Sequence, residues 1–105
     1  MNLEPIIKNF ANFQNPILSK EDGARKYVML YVQHEPGENS PLHIHPWEHQ
    51  AFITEGSGKL FCDGVEYPIS KGDCIRVPEN TEHQFRNTGE VNLSRVTVNP
   101  ISSVE

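Results

Sequence analysis

A chain of 105 residues has room for one hydrophobic core and one principal site, since a second core would leave each half too small to fold without staples or partners. A net charge of -5, with cations scattered along the chain, Lys20, Arg25, Lys26, Lys59, Lys71, Arg76, Arg86 and Arg95 among them, argues against a basic groove for nucleic acid. A hydrophobic share of 36% with 8 prolines and 7 glycines argues against a helical bundle and for short strands joined by tight turns.

Residues 1–24 are the least patterned. Pro5 and Pro16 limit any helix there, and the segment is expected to be an N-terminal arm or an edge strand, laid on the barrel or on a second subunit. The start lacks a basic stretch followed by an apolar run, and no stretch of about 20 apolar residues follows. A soluble cytoplasmic protein with no membrane partner is the expectation.

Residues 25–105 are predicted to form an all-β domain. The first strand spans 25–34 and closes at Pro36-Gly37; the next spans 42–45, and a third 50–55, ending at Gly56-Ser57-Gly58. Strands at 59–62 and 65–69 flank Asp63-Gly64, a pair suited to the positive φ angles of a two-residue hairpin turn. Strands at 74–77, 82–86 and 93–98 complete the set. Cys62 and Cys74 are expected as reduced thiols within strands, because nothing points to an oxidising compartment.

The chemistry-bearing residues are histidines. His43 and His45 are two apart, so on a strand both rings point to one face about 7 Å apart and can converge on an ion. His49 follows a short break at Pro46-Trp47-Glu48 that can bring a third ring round. His83 lies far along the chain, and only a closed fold could make it a fourth ligand. A His-x-His pair alone is weak evidence, since imidazole is a common ligand but not a committed one.

The frame around the rings is more specific. It reads Gly37, five residues, His43, one, His45, three, His49, six, Gly56; then Gly72, five residues, Pro78, one, Asn80, two, His83, three, Asn87. Residues 37–87 thus resemble the two paired motifs of the cupin superfamily, whose members are small jelly-roll β-barrels carrying one metal at the barrel centre. The resemblance implies that His43, His45 and His83 take the family's three histidine positions. His49 stands where the family usually has Glu, and the run from His43 to His49 looks like the subgroup with four histidine ligands, which includes manganese-containing members. Glu48, one residue early, is the rival fourth ligand. Asn80 replaces the family's Gly, a mild change because Asn tolerates the left-handed conformation.

A single divalent transition metal is therefore expected as cofactor, Mn or Fe by the resemblance, although imidazole equally accepts Zn, Ni or Cu. Four neutral imidazoles would leave the full +2 charge on the ion and two coordination positions open, which together with the family resemblance implies a dioxygenase-like enzyme acting on a small oxygenated or aromatic compound. The alternatives are a binding or sensing module without turnover, and a metal-dependent isomerase or cyclase. The candidate pocket residues are Phe85, which shares the parity of His83; Ile53 and Ala51, which share that of His49; Trp47, at the mouth; and Glu48, beside the ligands. Arg76 is read as a solvent-facing strand residue, and His34 as surface or core. No nucleophile with a spaced base and no phosphate-cradling loop is present, so no catalytic residue is assigned beyond the metal ligands. A homodimer is expected because a short barrel has edges to cover.

Overall fold

The computed structural model describes residues 3–9, 11 and 15–104. Its strands are β1 Tyr27–His34, β2 His49–Glu55, β3 Ser57–Cys62, β4 Val65–Ser70, β5 Cys74–Val77, β6 His83–Arg86 and β7 Leu93–Pro100. Two antiparallel sheets face each other, one ordered β1-β7-β2-β5 and the other β4-β3-β6. The expected all-β fold is borne out. No helix among the described residues is long and apolar enough to cross a membrane.

Local chemistry sets the turns. Asp63 and Gly64 sit at φ 51° and 81°, both positive, so the β3–β4 hairpin closes in two residues as its sequence requires. Asn80 adopts φ 55°, the left-handed conformation expected of it. Pro68 lies in β4, at the edge of its sheet, where its missing N–H costs no ladder bond. Cys62 and Cys74 are unpaired, in β3 and β5.

Strand alternation then sorts the barrel. β2 turns His49, Ala51 and Ile53 inward, β6 turns His83 and Phe85 inward, and β7 buries Leu93, Arg95 and Thr97. The inward residues Ala51, Ile53, Leu60, Ile69, Val77, Phe85 and Leu93 form one apolar cluster. Full burial of side chains such as Ile53, Leu93 and Phe85 stabilises by about 1.5–3 kcal/mol each. This cluster fills one end of the barrel; towards the other end the inward positions of β2, β6 and β7 are polar, while β1 contributes the apolar Val28, Leu30 and Val32.

One predicted strand, 42–45, does not form. Only His43 pairs there, bridging to His83, while Asn39 bridges to Arg86. Asn39 to His43 is four steps and Arg86 to His83 is three, so the register slips by one residue between the bridges. Pro41 contributes no N–H across that slip, and the segment stays a loop with isolated contacts. Elsewhere the ends move by one or two residues: β1 starts at Tyr27, β2 at His49, β3 at Ser57 and β6 at His83, and β4 and β7 run on to Ser70 and Pro100.

Of the first 24 residues, Leu18 makes an antiparallel bridge to Met29 at the outer edge of β1, and Ile17 is buried. A single 3-10 turn at Lys20–Asp22 is closed by a capping box between Ser19 and Asp22, and Lys8 pairs with Asp22 at 2.8 Å. Residues 1, 2, 10 and 12–14 of the expected arm, and residue 105, lie outside the described residues.

Candidate metal centre

The loop before β2 and the start of β6 bring the histidines together. His43 and His83 exchange both backbone hydrogen bonds, His43 N–H to His83 O at 3.0 Å and His83 N–H to His43 O at 2.8 Å. Residues so paired project their side chains to one face, which sets the two rings 6.1 Å apart between centroids. His45 follows two residues later, its ring 6.1 Å from His43 and 4.8 Å from His83. Asn80 N–H donates to His45 O at 2.8 Å and ties this loop to the turn before β6.

One ligand atom from each of His43, His45 and His83 falls within 4.8 Å of the others, close enough for one ion to reach all three. Two of these rings are also held in the tautomer that metal binding needs. His45 Nδ1 lies 3.1 Å from Trp47 O, and His83 Nδ1 lies 2.8 Å from Thr81 O. A carbonyl only accepts, so each Nδ1 carries the proton and each Nε2 keeps its lone pair for an electrophile. Trp47 stacks on His45 at 4.3 Å with 10° between the planes and fixes the ring from its other side.

His49, the first residue of β2, is buried with its ring 5.3 Å from His45 and 5.0 Å from His83. Neither of its nitrogens has a hydrogen-bond partner. Burial, with the other histidines and Arg95 nearby, pushes its pKa down to about 3, and burial likewise lowers that of His83. Both imidazoles are thus neutral at physiological pH, the form that can ligate without first losing a proton. The donors present fit a divalent transition metal: converging imidazoles, two with oriented lone pairs, and a buried ring with unsatisfied nitrogens.

These rings line a cavity of about 260 Å³, which Phe85, His34, Arg95, Thr97 and Asn99 also line. Phe85 was expected at the pocket and is there. Ile53 instead belongs to the apolar cluster, with 0% exposure. Glu48 is exposed and accepts from Arg76 Nη1 at 3.2 Å on the outside of the barrel, because alternation points it away from its neighbour His49. Arg76 is correspondingly the solvent-facing strand residue expected.

Two cavity residues escape the sequence reading. His34, at the end of β1, is half-buried and accepts from Arg95 Nη1 at 2.9 Å through Nε2. Burial first, and then the Arg95 charge, lower its pKa, against an opposing pull from Glu38. Arg95 is 7% exposed, with its guanidinium carbon 3.9 Å from the centre of the Phe85 ring. Counting by twos inward from Leu93 reaches Arg95, Thr97 and Asn99, and that parity was the available signal.

Comparison with known proteins agrees with this architecture. Protein SchB of Streptomyces halstedii is 35% identical over 70 residues, which cover 66% of this chain and 51% of that protein. Quercetin 2,3-dioxygenase of Bacillus subtilis is 33% identical over 51 residues, 48% of this chain and 15% of that protein. The structure of the polyketide cyclase RemF from Streptomyces resistomycificus superposes with a TM-score of 0.76 at 26% identity, over 82% of this chain and 62% of that one. The chain spans about half the length of SchB, and far less of the dioxygenase. The Cupin_2 family, described as the cupin domain, matches residues 30–99, from β1 to the end of the inward column of β7. A jelly-roll barrel with a histidine cluster at one end of its interior, matched by that family over most of its length, makes this chain a member of the cupin family.

Proposed function

We propose that the protein is a metal-dependent cupin enzyme of the oxygenase type, acting on a small oxygenated or aromatic compound, with one divalent transition metal held by His43, His45, His49 and His83. The observation that carries the reading is the buried His49 ring, whose two nitrogens have no partner within the protein and which stands beside His45 and His83. A buried polar group is normally satisfied, so a ring left open next to three converging imidazoles is best explained as a ligand. Glu48 does not compete, since it is engaged by Arg76 outside the barrel.

A divalent ion held by neutral imidazoles keeps its whole +2 charge, polarises a chelating oxygen and, when six-coordinate, leaves two positions for exchange. The chain's residues supply the rest. Trp47 O and Thr81 O orient two rings, Phe85 forms an apolar wall beneath them, and the cavity of about 260 Å³ lies at the small end of ligand pockets, which suits a one-ring compound. Mn or Fe is the metal proposed, on the resemblance of the run from His43 to His49 to manganese-containing members.

A second reading, cyclisation or isomerisation with the metal as Lewis acid alone, is favoured by the similarity to RemF. Oxygen uptake by the Mn or Fe form over a panel of catechol-like and alkenyl phenol compounds separates the two. Uptake with a member of the panel supports the oxygenase reading; none across the panel overturns it in favour of the second reading or of a sensing module. A second copy of the chain is proposed as partner, over the outward face of the larger sheet, where Phe52 is 45% exposed and pairs in register with Val96.

A further inference from the structure

We infer that the substrate is a small organic acid whose carboxylate pairs with Arg95 while a second oxygen reaches the histidine centre. The inference rests on the reading of that centre as the metal site and names the class of compound that it takes.

Arg95 is a cation within the barrel, 7% exposed, on the wall of the same cavity as the four histidines. The partners it does have are neutral: the Nε2 lone pair of His34 at 2.9 Å and the face of Phe85 at 3.9 Å. Among the described residues no carboxylate pairs with it, and its Nε donates to nothing. A buried charge without a counterion is unfavourable, and guanidinium does not escape by losing its proton at physiological pH. The other titratable groups on the cavity wall are His34, His43, His45, His49 and His83, and no Asp or Glu joins them. A chain of net charge -5 therefore encloses a cavity with positive charge alone, and a divalent ion at the histidines would add two more.

The rest of the wall continues the pattern. Arg95, Thr97 and Asn99 follow one another along the inward column of β7, and each has a buried polar atom without a partner: Arg95 Nε, Thr97 Oγ1 and Asn99 Oδ1. Phe85, against which Arg95 packs, is two residues from His83 on the same face of β6, one strand repeat or about 7 Å along the strand, so the guanidinium and the histidine centre occupy neighbouring levels of one wall. That separation is spanned by a compound with a carboxylate at one end and a hydroxyl or enol oxygen one to three carbons away. The guanidinium fork matches a carboxylate, and the Thr97 hydroxyl and Asn99 carbonyl can meet a hydroxyl.

Salicylate and its neutral analogue salicylamide serve as probes, titrated calorimetrically into metal-loaded and metal-free protein, with metal content read separately by elemental analysis. Salicylate should bind at least tenfold more tightly than salicylamide to both forms, and R95M should erase the preference without lowering metal content. The thermal midpoint of R95M should equal or exceed the parent's, because an unpaired buried cation is removed. R95M binding salicylate as tightly as the parent, or a parent that prefers neither probe, overturns the inference. Should R95M fail to fold, the guanidinium is a structural strut and the inference also falls, unless R95K folds and keeps part of the preference. A protein that holds no metal yet shows Arg95-dependent preference refutes the metal centre alone; one that holds metal through the histidines with no such preference refutes Arg95 alone.

Discussion

Replacing His49 by Ala separates a ligand from an ordinary buried ring. In the metal-free protein the ring has two nitrogens withheld from water and unpaired, each unfavourable by about 1–3 kcal/mol. Its removal forfeits packing of similar size, so the metal-free His49→Ala protein should differ from the parent by less than about 1 kcal/mol, near what an average substitution does. With metal the outcome differs. Tetrahedral zinc in small domains binds with about 10–16 kcal/mol, so one of four ligands accounts for about 2.5–4 kcal/mol, or about 10²–10³ in affinity. Protein purified without metal-affinity resin should therefore lose most of its metal in the variant, and the rise in thermal midpoint on adding Mn(II) or Zn(II) should shrink. Glu48→Ala should keep both, since that carboxylate faces Arg76 outside the barrel. Metal content and metal-induced stabilisation unchanged in His49→Ala would reject the ring as a ligand, and their loss in Glu48→Ala would transfer the role to the carboxylate.

Acid should weaken the metal-free protein in a defined window. The folded state holds His49 down to about 3 and lowers His83 and His34, so the unfolded chain takes up protons first. Stability is then complete above about pH 6.5 and falls towards pH 3, by at most about 1.4 kcal/mol per pH unit for each group. Urea denaturation at pH 7.5 and 4.5 should show a loss that includes about 2–3 kcal/mol from His49, a part that His49→Gln removes, and an equal loss in that variant would refute the assignment. Phe52→Glu tests the second copy: light scattering should read a dimer for the parent and a single chain for the variant, and a monomeric parent ends the proposal.

What the sequence made legible was local. Asp63-Gly64 specified its hairpin because two positive φ angles in succession admit few residues, and Asn80 met its left-handed position for the same reason. Alternation told that Phe85 shares a face with His83, and Ala51 with His49. What stayed hidden depended on residues distant in the chain. The loop at 42–45 has strand composition, but its fate is set by a one-residue slip against β6. Ile53 has the right parity but sits too far along β2 to reach the cavity, a matter of depth that alternation does not encode. Composition presents Arg95 as one more scattered cation; the pairing of β7 on both sides, with β1 and with β2, makes it a central strand whose inward positions face the barrel interior.

That last point explains how one barrel both stays folded and remains reactive. Along β2 the inward column runs Ile53, Ala51, His49; along β6, Phe85, His83; along β7, Leu93, Arg95, Thr97, Asn99. On these three strands the column passes from apolar to polar in the same direction, while β1 runs the other way, from His34 opposite Leu93 to Val28 opposite Asn99. The unsatisfied groups thus gather on one cavity whose remaining wall includes Leu30 and Val32. The unpaired atoms of His49, Arg95, Thr97 and Asn99 are each unfavourable by about 1–3 kcal/mol, a large sum against the 5–15 kcal/mol that holds a typical domain together. Scattered through the core, they would unfold it. Gathered on one cavity, they can be satisfied by the same occupants, a cation among the imidazoles and an anion at the guanidinium, and occupancy then returns stability by linkage. The apolar end must hold the sheets together without those occupants, and its Ile53, Val77, Phe85 and Leu93 are, with Val28 on β1, the apolar side chains sealed most completely from solvent.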